Sequence, residues 1–248
     1  MWDIYDELIK AVPDDLYVED CIVGLSWILV RSKATGMAMT MNGGEQPVRG
    51  SGSLVGMGVK DLAEYIKSWN FLEAGIGLAA INSALNTAEK AERFSGASLP
   101  EHTKLDAFKF FLPEIKGKKV AVIGHFPNLE EIAPFCNLSI LERLPQDGDF
   151  PDPACEYILP EQDFVFSTGT TLINKTFPRL LELSKNAKFI LVGPSTPLHS
   201  PLFERGVDVL AGTVVDDNNQ VWSYIREGGL GPGVFKRGCK MVRLYPNN

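Results

Sequence analysis

The chain has little of what most recognisable sites are built from. It holds only four cysteines and three histidines in 248 residues. Cys21, Cys136, Cys155 and Cys239 are scattered, with no C-x-x-C pair. That excludes a zinc ribbon or a redox dithiol and fits buried free thiols in a cytoplasmic protein. No run of lysine and arginine occurs, and the net charge is −7. Nucleic acid is therefore not expected as the main partner, because neutralising phosphates needs clustered cations. No apolar stretch reaches the roughly 18 residues that cross a bilayer. The first residues, Met1-Trp2-Asp3-Ile4-Tyr5-Asp6-Glu7, are acidic and do not read as a signal peptide. Neither G-x-G-x-x-G nor a Walker sequence is present, which disfavours a classical dinucleotide or phosphate-loop site.

What is present is an ordinary globular composition, 45% hydrophobic and 22% charged, on a chain long enough for one large domain or two small ones. In the first half, Ile4, Leu8, Ile9 and Val12 have helical spacing, ended by Pro13. Residues 17–31 read as a strand pair turning near Gly24, or as one bent strand, and 37–41 as a further strand of a small antiparallel meander. Asn42–Gly58 is a long polar loop, of a length often connected with function. A helix over 59–69 is followed by Ala74–Asn86, made of small residues and apolar almost all round, which must be buried. Asn82 and Asn86 share one stripe of it, and Glu73 stands near its start. A buried Asn needs partners, so these two either tie down loops or hold a ligand. The polar segment 87–113 reads as a crossing, with a boundary near residue 100 that divides the chain into domains 1–100 and 101–248.

From Lys118 onward strands and helices alternate, the signature of a parallel sheet. Strands are expected at 119–123, 137–142, 163–167, 189–192 and 208–212, with an edge strand at 240–244. The helices expected between them are 129–135, 171–184 and 201–205. Polar residues gather where strands end, and in such sheets ligands bind beyond the carboxyl ends at the point where strand order reverses. The expected ligand-binding residues are Gly124 and Pro127, then Glu142 and Asp149, then Thr168, Gly169, Thr170, Thr171 and Asn174, then Gly193, Pro194, Ser195 and Thr196, joined from the first half by Asn82. His125 is placed to act as acid or base. His102 falls in the polar connector. Spacing alone shows no metal constellation.

Taken together, Glu73 with Gly77-Leu78-Ala79-Ala80-Ile81-Asn82, Val122-Ile123-Gly124-His125-Phe126-Pro127, Ser167-Thr168-Gly169-Thr170-Thr171-Leu172-Ile173-Asn174 and Gly193-Pro194-Ser195-Thr196-Pro197 resemble the heavy-metal-chelation family over nearly the whole chain. The resemblance implies an α/β protein: an α+β domain like the enolase N-terminal domain, followed by a Rossmann-like parallel-sheet domain, with a site between them. It implies a small-molecule ligand and a role in making or hydrolysing a chelator-, pterin- or flavin-like compound. Glu73 and His125 are then the candidate catalytic groups. The alternative is a non-catalytic carrier or sensor, with a metal ion or metal chelate as the bound group. A homo-oligomer is compatible with either.

Overall fold

A computed structural model describes residues 2–41, 46–96, 98 and 106–246. Asn42–Glu45 of the expected long loop, the expected boundary near residue 100 and His102 lie outside the described residues.

The first half opens with α1 (Asp3–Lys10), which buries Tyr5, Leu8 and Ile9. The meander follows as β1 (Asp20–Val23), β2 (Trp27–Arg31) and β3 (Thr35–Met39), antiparallel in that order. Ile22 pairs with Leu29, and Ile28 with Ala38. Of the two readings open for 17–31, the strand pair is the one that forms. Next come α2 (Val59–Ala63), which tightens into a 3-10 turn over Glu64–Lys67, and α3 (Phe71–Leu85). Asn70 caps α3 by accepting from the Leu72 N–H at 3.0 Å, so the helix starts three residues earlier than its apolar pattern suggests.

Every residue of α3 from Glu73 to Leu85 is buried. Its small residues are there because other backbones press on it. A Cβ on Gly36 of β3 would sit 2.0 Å from the Ala79 carbonyl oxygen and 2.1 Å from the Ser83 nitrogen. The strand therefore lies on the helix backbone, and even alanine at position 36 would force the two apart.

Two more helices separate the halves. The first is α4 (Ala88–Ser95), capped by Thr87, inside a segment that reads as a polar crossing. The second is α5 (Ala107–Ile115), capped by Asp106. Helix α4 is short and polar, with only Ala91 buried, and leaves little periodicity to read.

The second half is built on a seven-stranded sheet: β4 (Lys119–Ile123), β5 (Asn137–Glu142), β6 (Phe150–Pro151), β7 (Phe164–Thr168), β8 (Lys188–Val192), β9 (Val209–Val215) and β10 (Cys239–Leu244). Its order is β10-β9-β8-β7-β4-β5-β6. All pairs are parallel except β10 with β9, so the final strand is an antiparallel edge. The intervening helices are shorter than expected. Residues 129–135 form two 3-10 turns, and 200–203 another. The expected helix 171–184 divides into a 3-10 turn over Gly169–Leu172 and α7 (Phe177–Leu183). Lys175, at φ 67°, breaks the run. A short α6 (Cys155–Ile158) precedes β7, and α8 (Asn218–Arg226), capped by Asp217, precedes β10.

The sheet is buried on both faces, which is why its strands read as continuous apolar runs. Val120, Val122, Phe166 and Ile190 pack with Phe108 and Phe111 of α5. Ala121, Ile123, Val165 and Leu191 belong to a second cluster that also contains Ile28 of β2 and Ile76 and Ile81 of α3. One core thus runs from the sheet into the first half. It fixes α3 against the strands and holds its start close to their carboxyl ends.

Candidate functional site

The chain leaves β4 for β5 on one side and β7 on the other, so strand order reverses at β4. Gly124 and Pro127 follow β4, Glu142 ends β5, Thr168–Asn174 run from the end of β7, and Gly193–Thr196 follow β8. Because these strands are parallel, all four groups share one edge of the sheet.

His125 sits at the reversal. Its backbone N–H donates to Glu142 Oε2 at 2.9 Å. Its ring Nδ1 lies 2.9 and 3.1 Å from the two oxygens of Asp149. The Asp149 side chain is only 2% exposed and accepts a further bond from the Gln146 N–H at 3.0 Å. An aspartate that accepts at Nδ1 selects the tautomer with the lone pair on Nε2. The other Glu142 oxygen accepts from the Arg143 and Leu144 N–H groups at 2.7 and 3.4 Å. Nearby, burial pushes the Asp152 carboxyl above its ordinary range; Arg143 offsets this in part and Glu142 adds to it.

Phe126 explains why no glycine-rich turn is needed here. Gly124 and Gly193 both have left-handed backbone, at φ 98° and 102°. A Cβ on Gly124 would lie 3.6 Å from Phe126, and one on Gly193 would lie 3.8 Å from it. The Phe126 ring therefore fills the space between the two turns, and it packs edge-on against Phe108 at 5.2 Å. In a dinucleotide fold that space lets backbone approach a pyrophosphate.

Most other expected ligand groups have partners within the protein. Thr171 Oγ1 donates to the Thr168 carbonyl at 2.7 Å, and the Thr168 and Thr170 hydroxyls are 3.1 Å apart. Asn174 Oδ1 accepts from the N–H and hydroxyl of Thr176. Gly169 presses on the next turn, where a Cβ would meet Ser195 C at 2.6 Å. Ser195 Oγ accepts from the Met39 N–H at 2.9 Å. Asn82 Nδ2 donates to the Met37 carbonyl at 2.8 Å and to the Pro194 carbonyl at 3.5 Å. Asn86 donates to the carbonyls of Thr196 and Thr213 and accepts from the Leu198 N–H. Two buried atoms on this seam, Asn82 Oδ1 and Thr196 Oγ1, have no protein partner.

Glu73 is committed as well. Its carboxylate accepts from the Arg49 backbone N–H at 2.8 Å and from Arg49 Nε at 3.1 and 3.2 Å. Burial acts to raise its pKa, but hydrogen bonds from Ser68 and Arg49 and the Arg49 charge outweigh it, and the group ends below the ordinary carboxylate range. Among the described residues Glu73 and His125 share no hydrogen-bond partner. The link between their surroundings is Arg143, beside Glu142, whose guanidinium lies 5.1 Å from the Phe71 ring in the first turn of α3.

Arg49, Asp152 and Lys175 were not expected from the sequence. Arg49 lies in an irregular segment and Asp152 opens a short 3-10 turn (Asp152–Ala154), neither with periodicity, and only their tertiary partners single them out. Among the described residues no three His, Cys, Asp or Glu side chains converge as a metal site, and no helix is long and apolar enough to cross a membrane. Two open surface hollows, of about 470 and 450 Å³, lie away from this edge, one beside Leu181 and Arg205 and the other beside Tyr224 and Arg237.

Two family models, DUF364 over residues 106–244 and DUF4213 over 5–85, match the chain, each described as "Putative heavy-metal chelation". The chain belongs to the heavy-metal-chelation family. An uncharacterized protein of Methanocaldococcus jannaschii is 32% identical over 237 residues, covering 88% of this chain and 86% of its own length. A crystal structure of a family member of unknown function from Desulfitobacterium hafniense DCB-2 superposes with a TM-score of 0.89 at 38% identity, over 99% of this chain and 98% of that one. A second member of unknown function, from Pyrococcus horikoshii, shares the fold at 22% identity, with a TM-score of 0.73 over 98% of each chain.

Proposed function

We propose that this family member is an enzyme that condenses or hydrolyses a polar, chelator-, pterin- or flavin-like small molecule in a cleft between its two halves. The cleft lies between the carboxyl edge of the seven-stranded sheet and the start of α3. The reading rests on the Asp149–His125 pair: a buried carboxylate holds Nδ1 of an imidazole at the strand-order reversal, which puts the lone pair on Nε2. Such an imidazole can take a proton from an attacking hydroxyl, amine or water and return it to the leaving group. Asp152, with its raised pKa, is a second proton carrier close by. The edge carries both signs of charge, with Arg143 beside Glu142, which suits a polar ligand more than a polyanion.

The test is native mass spectrometry of the purified protein, followed by turnover assays on whatever co-purifies. A retained small molecule that His125→Gln protein binds but no longer converts supports the reading. Conversion at the wild-type rate would remove His125 from the mechanism.

The same pair favours a second reading, transport of a metal chelate. A carboxylate-oriented imidazole is a good terminal ligand for a metal whose remaining sites are filled by a small chelator. Metal analysis before and after a chelator wash, with a retained molecule that is never converted, would favour this reading over catalysis.

A further inference from the structure

Arg143 stands beside His125 with a guanidinium that the fold leaves uncommitted. Ile123 of β4 pairs with Leu141 of β5, and His125 and Arg143 each follow that pair by two residues. Neighbouring strands lie about 4.8 Å apart, so the two chain segments leave the sheet side by side. Glu142 then fixes their spacing. One of its oxygens accepts from the His125 N–H at 2.9 Å and the other from the Arg143 N–H at 2.7 Å.

The Arg143 side chain is held much less firmly than its backbone. Other arginines of this protein close on carboxylates, Arg179 on Glu156 and Arg205 on Glu7, both at 2.6 Å. The acid paired with Arg143 is Asp152, 3.7 Å away, which is beyond hydrogen-bonding reach. The two side chains are 44% and 39% exposed. Among the described residues the guanidinium donates no hydrogen bond. It lies over the Phe71 ring of α3, 5.1 Å from the centroid. That contact comes from the other half of the chain and supports the fork without using its N–H groups.

A supported guanidinium with free N–H groups matches the two oxygens of a carboxylate, which it binds through a pair of parallel hydrogen bonds. A phosphate dianion fits the fork too, but Glu142, Asp149 and Asp152 belong to the same stretch of chain and repel a second negative charge. We propose that Arg143 is a specificity-determining residue of this edge, which binds the carboxylate of a small polar acid and presents the adjoining atoms to His125. The presentation rests on the His125 reading; the binding does not.

The full chain is titrated near neutral pH with nicotinate, a planar heterocyclic carboxylate, and separately with nicotinamide, its uncharged counterpart of similar shape, followed by ligand-observed NMR. Nicotinate is expected to bind roughly tenfold or more tighter, because the amide lacks the charge-assisted pair of bonds. Arg143→Gln protein should bind both alike. Arg143→Lys protein should keep only part of the preference, since an ammonium group lacks the fork. Inorganic phosphate should compete more weakly than nicotinate itself. The proposal is overturned if wild-type protein binds no nicotinate or binds both compounds alike, if Arg143→Gln protein keeps the preference, or if phosphate competes equally well. His125→Gln protein should keep the preference. A preference that stands beside unchanged turnover in His125→Gln protein removes the His125 reading alone. A missing preference beside turnover that depends on His125 removes this inference alone.

Discussion

Two regions of this protein carry similar residues and treat them differently. The seam where α3 meets the β8 turn contains Asn82, Asn86, Ser195 and Thr196; the edge beyond β4 and β5 contains His125, Glu142 and Asp149. On the seam the polar groups bond mainly to backbone, as Asn86 does with three main-chain partners. They replace hydrogen bonds that irregular buried backbone would otherwise lack, and so let two layers meet there. At the edge, carboxylates hold His125 by its backbone and by one ring nitrogen, which puts the lone pair on the other nitrogen. Polar residues near a predicted site are thus of two kinds, and sequence spacing does not separate them.

The contrast predicts opposite responses to mutation. The largest effect is expected at the edge. His125→Gln should lower turnover of an identified substrate by roughly 10²–10⁴-fold, the usual contribution of a positioned acid–base group. Its unfolding midpoint in denaturant should hardly change, because the ring is partly exposed. A variant that unfolds easily instead would place His125 with the seam.

Asn86→Ala should do the reverse. It strands two carbonyls and one N–H in a site that is 1% exposed. A loss of about 3 kcal/mol in denaturant unfolding is expected from unmet buried groups. A loss under about 1 kcal/mol would mean that these groups find water or other partners.

Glu73 stands between the two cases, since it was a catalytic candidate and is found bonded to Arg49. Its carboxyl is held below the ordinary range, so its contribution to stability is full above the unfolded-state pKa and is lost as pH falls through the folded-state value. Glu73→Gln should cost about 1–2 kcal/mol at neutral pH, from the loss of a charged acceptor. The gap from wild type should narrow in acid. A gap independent of pH would rule out the charge as its source.

The smallest effect is expected at Thr196. Its hydroxyl is buried without a protein partner, so Thr196→Val should be neutral or stabilising by up to about 1 kcal/mol. Clear destabilisation would reveal an ordered water or ligand atom bonded there.

The strands of the large sheet were legible because burial on both faces writes itself as runs such as Val120-Ala121-Val122-Ile123. The buried character of α3 was legible for a similar reason, from its small apolar residues. The connecting helices were not. Pro178, Lys175 and the Asn174 turn cut one expected helix short, α4 is short and polar, and α8 carries its stripe on only Val221, Trp222 and Ile225. At the site, His125, Glu142 and Asp149 could be named from their places at strand ends. That Asp149 grips the ring while Glu142 grips the backbone could not, because residues 17 and 24 positions apart meet only through strand pairing.

By itself the sequence determined most of the strands, though not the short β6 at Phe150–Pro151, and which helix is central and where polar groups follow the strand ends. Those properties depend on local apolar patterning, which each segment carries alone. The tertiary structure decided which polar groups are free. Asn82 and Ser195 bond to backbone from distant parts of the chain, Glu73 is held by a loop arginine, and Lys175 donates to the Ser68 and Ile173 carbonyls. Whether a polar side chain is structural or reactive depends on its partners, and here those partners are supplied by packing across the chain.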